Sequence, residues 1–444
     1  MMSILSILGK YLRQGLLVGG SGTTKSFKIL SLDGGGTWSL IQVKALIDSF
    51  GRNICGWDVL RYYDLVAANS GGSIVLAGLI QNMQLCEIEN LFLNEGKRKE
   101  IFARTDICRA PLSTLIRNKT CIDFGAKYNT EKKLSGLRDV LSNAGSGSKD
   151  FLCKPLSEIP DNIPKNQNGR TTLFLIVAFD YDLNRAVFFR SDQKSLAGGG
   201  TSASLADITL LEAVHASSTA PVNYFDRPVA VRERRLWDGA IGGYNNPVLA
   251  AVVEAVANGS RYGIFPENIA VLSLGTGTVV LPPHGVYPAK YRILVQHEDA
   301  PSLLHDTQKL AGSILDDPPD SASFHAYLLM RETLPTPSPA NCQAPHGDIR
   351  LIRMNPLVQP VEMNNKWIPP ANISKEDFRR LVVLEMDAMD PKNVALIENF
   401  ADEWIKDNVR NQPLRANRIT LKVEIGHQWY SCARNRARYL NLIP

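Results

Sequence analysis

Apolar positions in this chain fall into short strand-like runs, each ending on small residues, followed by stretches with helical period. Phe27 to Leu32 reads as a buried strand and passes directly into Asp33-Gly34-Gly35-Gly36-Thr37. Trp38 to Phe50 then places Leu40, Val43, Leu46, Ile47 and Phe50 on one helical face, and Gly51 marks the end. Tyr62 to Ala68 repeats the pattern. It runs into Asn69-Ser70-Gly71-Gly72-Ser73, and Ile74 to Ile80 leads out as an apolar helix. Residues 85–140 read mainly as helix. Thr171 to Phe179 is a strong strand, with Ala186 to Arg190 as its hairpin partner. Ile208 to Ala216 and Val248 to Ala257 read as helices. Ile269 to Leu274 is a strand that turns at Gly275-Thr276-Gly277. Repeated strand–turn–helix units predict an α/β fold with a central, mostly parallel sheet and helices on its faces.

The intervening segments are polar. Ser142 to Gly147 and Pro155 to Gly169 are rich in Gly, Pro and Asn and are expected to be mobile loops, and Gly198 to Ser202 forms another. Residues 1–20 carry Ile4, Leu5, Leu8, Tyr11, Leu12 and Leu16 at helical spacing. Lys10 and Arg13 interrupt any signal-peptide core. Two readings fit this amphipathic helix: docking on the core, or contact with a membrane surface or a second subunit. Beyond about residue 280, prolines divide the chain. Two helices are expected near Lys375–Met389 and Pro391–Arg410, with Ser374 as the first N-cap and Pro391 opening the second. The expected organisation is an N-terminal amphipathic segment (1–26), a main domain (27–280) and a C-terminal elaboration packed on it (281–444). No internal repeat is visible.

Composition narrows the class. The 444 residues are 44% hydrophobic and 21% charged, enough for a substantial core. A net charge of +5, from 49 basic and 44 acidic residues, is too mild to argue for a nucleic acid polymer as partner. It does not oppose an anionic membrane surface. The seven cysteines are scattered, with no Cys-x-x-Cys, so neither a disulfide framework nor a zinc site is expected; a reducing compartment, hence a cytoplasmic location, fits better. No apolar stretch is long enough to span a bilayer.

Two glycine-rich turns carry the candidate chemistry. Asp33 to Gly36 joins a strand to a helix start, where bare N–H groups can face an anion. A phosphate loop fits poorly, because neither Gly-x-Gly-x-x-Gly nor Gly-Lys-Ser/Thr is present. The oxyanion of an attacked carbonyl and a tight turn without ligand remain as readings. Ala68-Asn69-Ser70-Gly71-Gly72 has the outline of a nucleophile elbow with alanine at the first glycine position. Small-residue turns are also common as purely structural features. A serine nucleophile needs a base. None of the histidines after Ser70 sits in a strand-end turn of small residues. Asp238 does: it follows Leu236-Trp237 and precedes Gly239-Ala240. Taken alone it reads as an Asp-Gly turn.

Five segments, in order, resemble the patatin-like phospholipases. They are Ile29 to Gly36; Tyr63 to Gly72; Ala216 to Pro221 with Tyr224-Phe225; Trp237 to Ala240 with Asn245-Asn246-Pro247; and Leu272 to Gly277. The resemblance implies a three-layer α/β/α fold and a Ser-Asp dyad without histidine. Ser70 would be the nucleophile and Asp238 the base, with the N–H groups of Gly34, Gly35 and Gly36 as oxyanion hole. It implies ester hydrolysis in membrane phospholipids or lysophospholipids through an acyl-enzyme, with no cofactor and no metal, by a protein that touches the membrane peripherally when active. Some bacterial enzymes resembling it are antiphage effectors switched on by a cyclic nucleotide. The N- and C-terminal segments leave room for such an activator and for a homo-oligomer. The alternative is a lipid-binding or storage protein that keeps the fold without catalysis. Two departures stand out. Ala68 replaces the first elbow glycine, and Trp38-Ser39 stand where the family usually carries arginine and glycine.

Overall fold

The computed structural model describes residues 26–104, 126–142, 150–192, 207–221, 224–282, 314, 318–331, 338–339, 349–417 and 420–444. The expected N-terminal amphipathic helix and the loops at 143–147 and 198–202 lie outside them.

All six residues of the first strand are buried, although successive side chains point to opposite faces. Both faces of that strand are therefore covered, as in a parallel sheet between helical layers. The strands of the main sheet are β1 (Phe27–Leu32), β2 (Leu65–Ala68), β3 (Leu173–Asp180), β4 (Arg185–Arg190), β5 (Val229–Val231), β6 (Arg234–Asp238), β7 (Ile269–Leu274) and β8 (Leu351–Met354). Their order is β8-β7-β1-β2-β3-β6-β5, with β4 also paired to β3. The run from β8 to β3 is parallel, and the pairings of β3 with β4 and β6, and of β5 with β6, are antiparallel. The last strand of this sheet thus comes from far beyond residue 280.

The helices that matter for the site are α1 (Leu40–Phe50), α2 (Ser70–Ile80), α3 (Thr130–Ser142), α4 (Leu210–Ser217), α5 (Val248–Ala257), α6 (Lys375–Val383), α7 (Pro391–Ile405) and α8 (Tyr430–Tyr439). α2 and α5 pack on β1 and β2, α4 on β3 and β6, and α8 on β8. The result is a central, mostly parallel sheet flanked by helices, the α/β/α architecture expected from the sequence. Sequence signals at helix ends act as read: Ser374 caps α6 by accepting the Asp377 N–H at 3.0 Å, and Pro391 opens α7 behind Asp390.

Three expectations need correction. The helix expected to reach Met389 stops at Val383. The carbonyls that follow it are taken by tertiary partners. Glu385 O accepts from Trp38 Nε1 at 3.2 Å, Met386 O from Thr37 N at 2.8 Å and Met389 O from Arg98 Nη2 at 3.1 Å. Residues 155–169 do not form a loose loop. Leu156 and Ile159 are buried, two short 3-10 turns order the backbone, and Asn166 Nδ2 donates to Asp64 Oδ1 at 2.8 Å. Finally, Cys432 on α8 is disulfide-bonded, whereas Cys55, Cys86 and Cys153 are free thiols.

Candidate active site

β2 ends at Ala68 and α2 begins at Ser70, so strand becomes helix across Asn69 alone. The turn holds Ser70 at φ 49°, a left-handed backbone that costs a non-glycine residue about 1–3 kcal/mol. Ala68 itself sits in regular strand register, opposite Leu32 on one side and Ile176 on the other. The glycines after the serine are the ones the packing requires. A Cβ on Gly71 would stand 2.2 Å from Ser39 Oγ, and one on Gly72 would stand 2.5 Å from Leu32 O. Their absence of side chains lets the start of α2 press against the Asp33–Gly36 loop.

Asp238 is the last residue of β6, placed by the pairing of β6 with β3. Its carboxylate lines the same cavity as Ser70, whose side chain acts to lower the Asp238 pKa. Its Oδ1 accepts Ala240 N–H at 2.9 Å and Asn69 Nδ2 at 3.0 Å. Both side chains are nearly sealed from solvent. Burial pushes the Asp238 carboxyl above the usual carboxylate range. The Ser70 side chain, the hydrogen bonds from Ala240 and Asn69 and the charge of Lys133 pull the other way. The structure thus brings the two residues singled out in the sequence together in one cavity, at the N-terminal end of α2, where the helix field favours negative charge.

The three loop glycines differ. Gly34 N–H donates to Asn245 O at 2.8 Å and is already engaged. This departs from the expectation that Gly34, Gly35 and Gly36 act together. Neither Gly35 N–H nor Gly36 N–H has an acceptor among the described residues. Gly34 and Gly35 line the cavity above Ser70, and Gly36 lies beside Gly71. Thr276 Oγ1 holds the loop by donating to Gly34 O at 2.6 Å.

The cavity, of about 430 Å³, takes in Ser70 and Asp238 and is walled mostly by apolar groups, among them Trp38, Ile241, Val279, Leu381 and Met386. Trp38, which replaces the family's arginine, is part of this wall and packs edge-on against Phe400, the ring centroids 6.3 Å apart. A cation still reaches the site from elsewhere. Arg353, on β8, is 3% exposed and pairs with Asp33 Oδ2 at 2.6 Å, and it also donates to Ser273 Oγ and Gln412 Oε1. Burial lifts Asp33 to about 6, against the opposing charge of Arg353. Sequence reading missed Arg353. Its only signal was a lone charge in the apolar run Leu351-Ile352-Arg353-Met354, a pattern that demands a buried partner. No cluster of three or more His, Cys, Asp or Glu fit to hold a metal occurs among the described residues.

A patatin-like phospholipase family model matches residues 30–252, half of the chain, spanning Ser70, Asp238 and the glycine loop. The chain belongs to the patatin-like phospholipase family. No curated protein matches it in sequence. Among solved structures it is similar to VipD from Legionella pneumophila, at 10% identity and a TM-score of 0.31, covering 88% of this chain and 73% of that one. It is also similar to human GIVD cytosolic phospholipase A2, at 13% identity and a TM-score of 0.21, covering 42% of this chain and 25% of that one. The patatin-like assignment rests on the family match rather than on these distant likenesses. Arg353 lies outside the patatin-like match, in the part of the chain that supplies β8, α6 and α7.

Proposed function

We propose that this member of a lipid acyl hydrolase family is a serine hydrolase that cleaves ester bonds of phospholipids or lysophospholipids. The observation that carries the reading is the left-handed Ser70 sharing one apolar cavity with a buried Asp238. In the reaction, Ser70 Oγ bonds to the ester carbonyl carbon while its proton passes to the Asp238 carboxylate. The carbonyl oxygen becomes an oxyanion, for which Gly35 and Gly36 supply the unengaged N–H donors. Collapse breaks the carbon–oxygen ester bond, and the departing alcohol takes the proton from Asp238. This leaves an acyl group on Ser70. Water then repeats the sequence, with Asp238 again as base, and releases the fatty acid. The apolar wall is suited to an acyl chain, and access to such a substrate requires peripheral contact with a membrane.

Ser70→Ala and Asp238→Asn are each expected to lower fatty-acid release from phospholipid vesicles by about a thousandfold or more while circular dichroism stays unchanged. Parent-rate hydrolysis by Ser70→Ala would remove Ser70 from the mechanism. A fluorophosphonate probe should label the parent at Ser70. A folded parent protein that takes no label and releases no fatty acid would instead fit the lipid-binding alternative. The pH profile carries a further expectation. Asp238 acts as base only when ionised, and burial raises its pKa. The acid limb of kcat/KM should therefore lie above the ordinary aspartate range.

A further inference from the structure

The proposed dyad hangs on one turn, Ser217-Ser218-Thr219, at the end of α4. Ser217 Oγ accepts the Ser70 N–H at 3.0 Å, and Thr219 O accepts the Asp238 N–H at 2.9 Å. The turn therefore holds the backbone of both residues. It is itself held by a lysine. Lys133, on α3, is 1% exposed, an unusual position for an amine. Its Nζ donates to Ser218 O and, at 3.2 Å, to Thr219 Oγ1. It also lies 4.3 Å from the centre of the Phe225 ring. A cation over an aromatic face is stabilised where water is excluded.

A buried ammonium is costly unless a charge or hydrogen bonds compensate it. A methionine-like side chain would fill the same space without that cost. The groups facing Lys133 show where the compensation comes from. Burial holds the Lys133 amine well below the ordinary lysine range, and the attraction of Asp238, from β6, opposes that without cancelling it. His215, from α4, is held neutral by burial and by Lys133, at a pKa of about 3, with Nε2 on Thr130 O at 2.9 Å. The carboxylate is therefore the only group of opposite charge that faces the ammonium among the described residues. Lys133 is not among the residues that wall the cavity.

We propose that Lys133 is a positioning residue. It pins the Ser217–Thr219 turn that carries Ser70 and Asp238, and when protonated it sets a positive charge near the Asp238 carboxylate. This rests on the reading of Ser70 and Asp238 as nucleophile and base. Lys133 touches neither substrate nor the reacting atoms and acts through Asp238 and the turn.

The test compares parent, Lys133→Met, Lys133→Arg and Ser70→Ala in ester hydrolysis across pH, with fluorophosphonate labelling as a second readout. Lys133→Met should lower kcat by about tenfold to a hundredfold with little change in KM, since the acyl cavity is untouched. Its acid limb should move to higher pH by about one unit or more, because an ionised Asp238 loses its neighbouring cation. Lys133→Arg should restore the acid limb even if kcat recovers only in part. A folded Lys133→Met with parent kcat and parent acid limb would overturn the proposal. If Ser70→Ala is as active as the parent, the failure lies with the dyad itself. Should Lys133→Met not fold, the chemical shift of the Lys133 ε-carbon is followed by NMR in the parent and in Asp238→Asn. Loss of the carboxylate should let the lysine deprotonate at lower pH. Identical titrations in the two proteins would overturn the pairing.

Discussion

At the scale of single residues, the strain of the elbow falls on Ser70 rather than on the alanine that departs from the family pattern. Ala68 is an ordinary strand residue, while Ser70 carries the positive φ. Ala68→Gly is accordingly expected to leave hydrolysis near the parent rate and to cost about 0.5–1 kcal/mol of stability, measured by urea unfolding. Gly72→Ala should behave in the opposite way. Its Cβ would meet Leu32 O and Asp33 O, at 2.5 and 2.6 Å, so the start of α2 must move away from the end of β1 and the glycine loop. We expect kcat to drop at least tenfold, and parent activity in that variant would show the close approach to be dispensable. The places of Ser70 and Asp238 were legible in the sequence because each sits at a strand end among small residues. The split among the three glycines was not, because Gly34 is engaged by the backbone of Asn245, far along the chain.

At the scale of elements, the strands and helices on the β1–α1 and β2–α2 units could be read because burial on both faces imposes continuous apolar runs. The wall over the site could not. Its sequence pattern continues the helical period of α6, but the backbone from Leu384 to Met389 leaves the helix to bond the glycine loop and Arg98. Asp387 fixes this wall: Tyr128 Oη donates to its Oδ2 at 2.5 Å, and Lys127 pairs with it at 3.3 Å. Tyr128→Phe should therefore lower unfolding stability by about 1.5–3 kcal/mol, the range for a hydrogen bond to a charged group. It should also weaken substrate binding more than it slows chemistry. An unchanged KM in a destabilised variant would mean that the wall holds its shape without the bond.

At the scale of the whole molecule, the sheet and its buried charges join parts distant in sequence. Arg353 and Asp33 are both about 3% exposed and lock β8 to the loop after β1. Asp33 stands at about 6, above its value of 3.8 in an unfolded chain, with burial as the leading cause. The folded state thus keeps that proton to higher pH. The stability this contributes is full below about pH 4 and is lost as pH rises through about 6. Arg353→Met removes the charge that opposes burial, so the decline should extend to higher pH. Denaturant unfolding between pH 4 and 8 would reveal a window unchanged from the parent if the pair were not coupled. The sheet's parallel centre was legible from the alternation of strand and helix. The membership of β8 was not, because a short apolar run after a proline-rich stretch carries no mark of which strand it will join.

The late arrival of β8 has a consequence in time. On the ribosome, Ser70 and Asp238 emerge long before Arg353, and synthesis proceeds at about 5–20 residues per second. Until Arg353 follows, Asp33 lacks its counter-charge and β7 stands as an open edge. The nascent chain therefore holds every reacting group of the proposed hydrolase for several seconds before the strand that carries Arg353 has emerged.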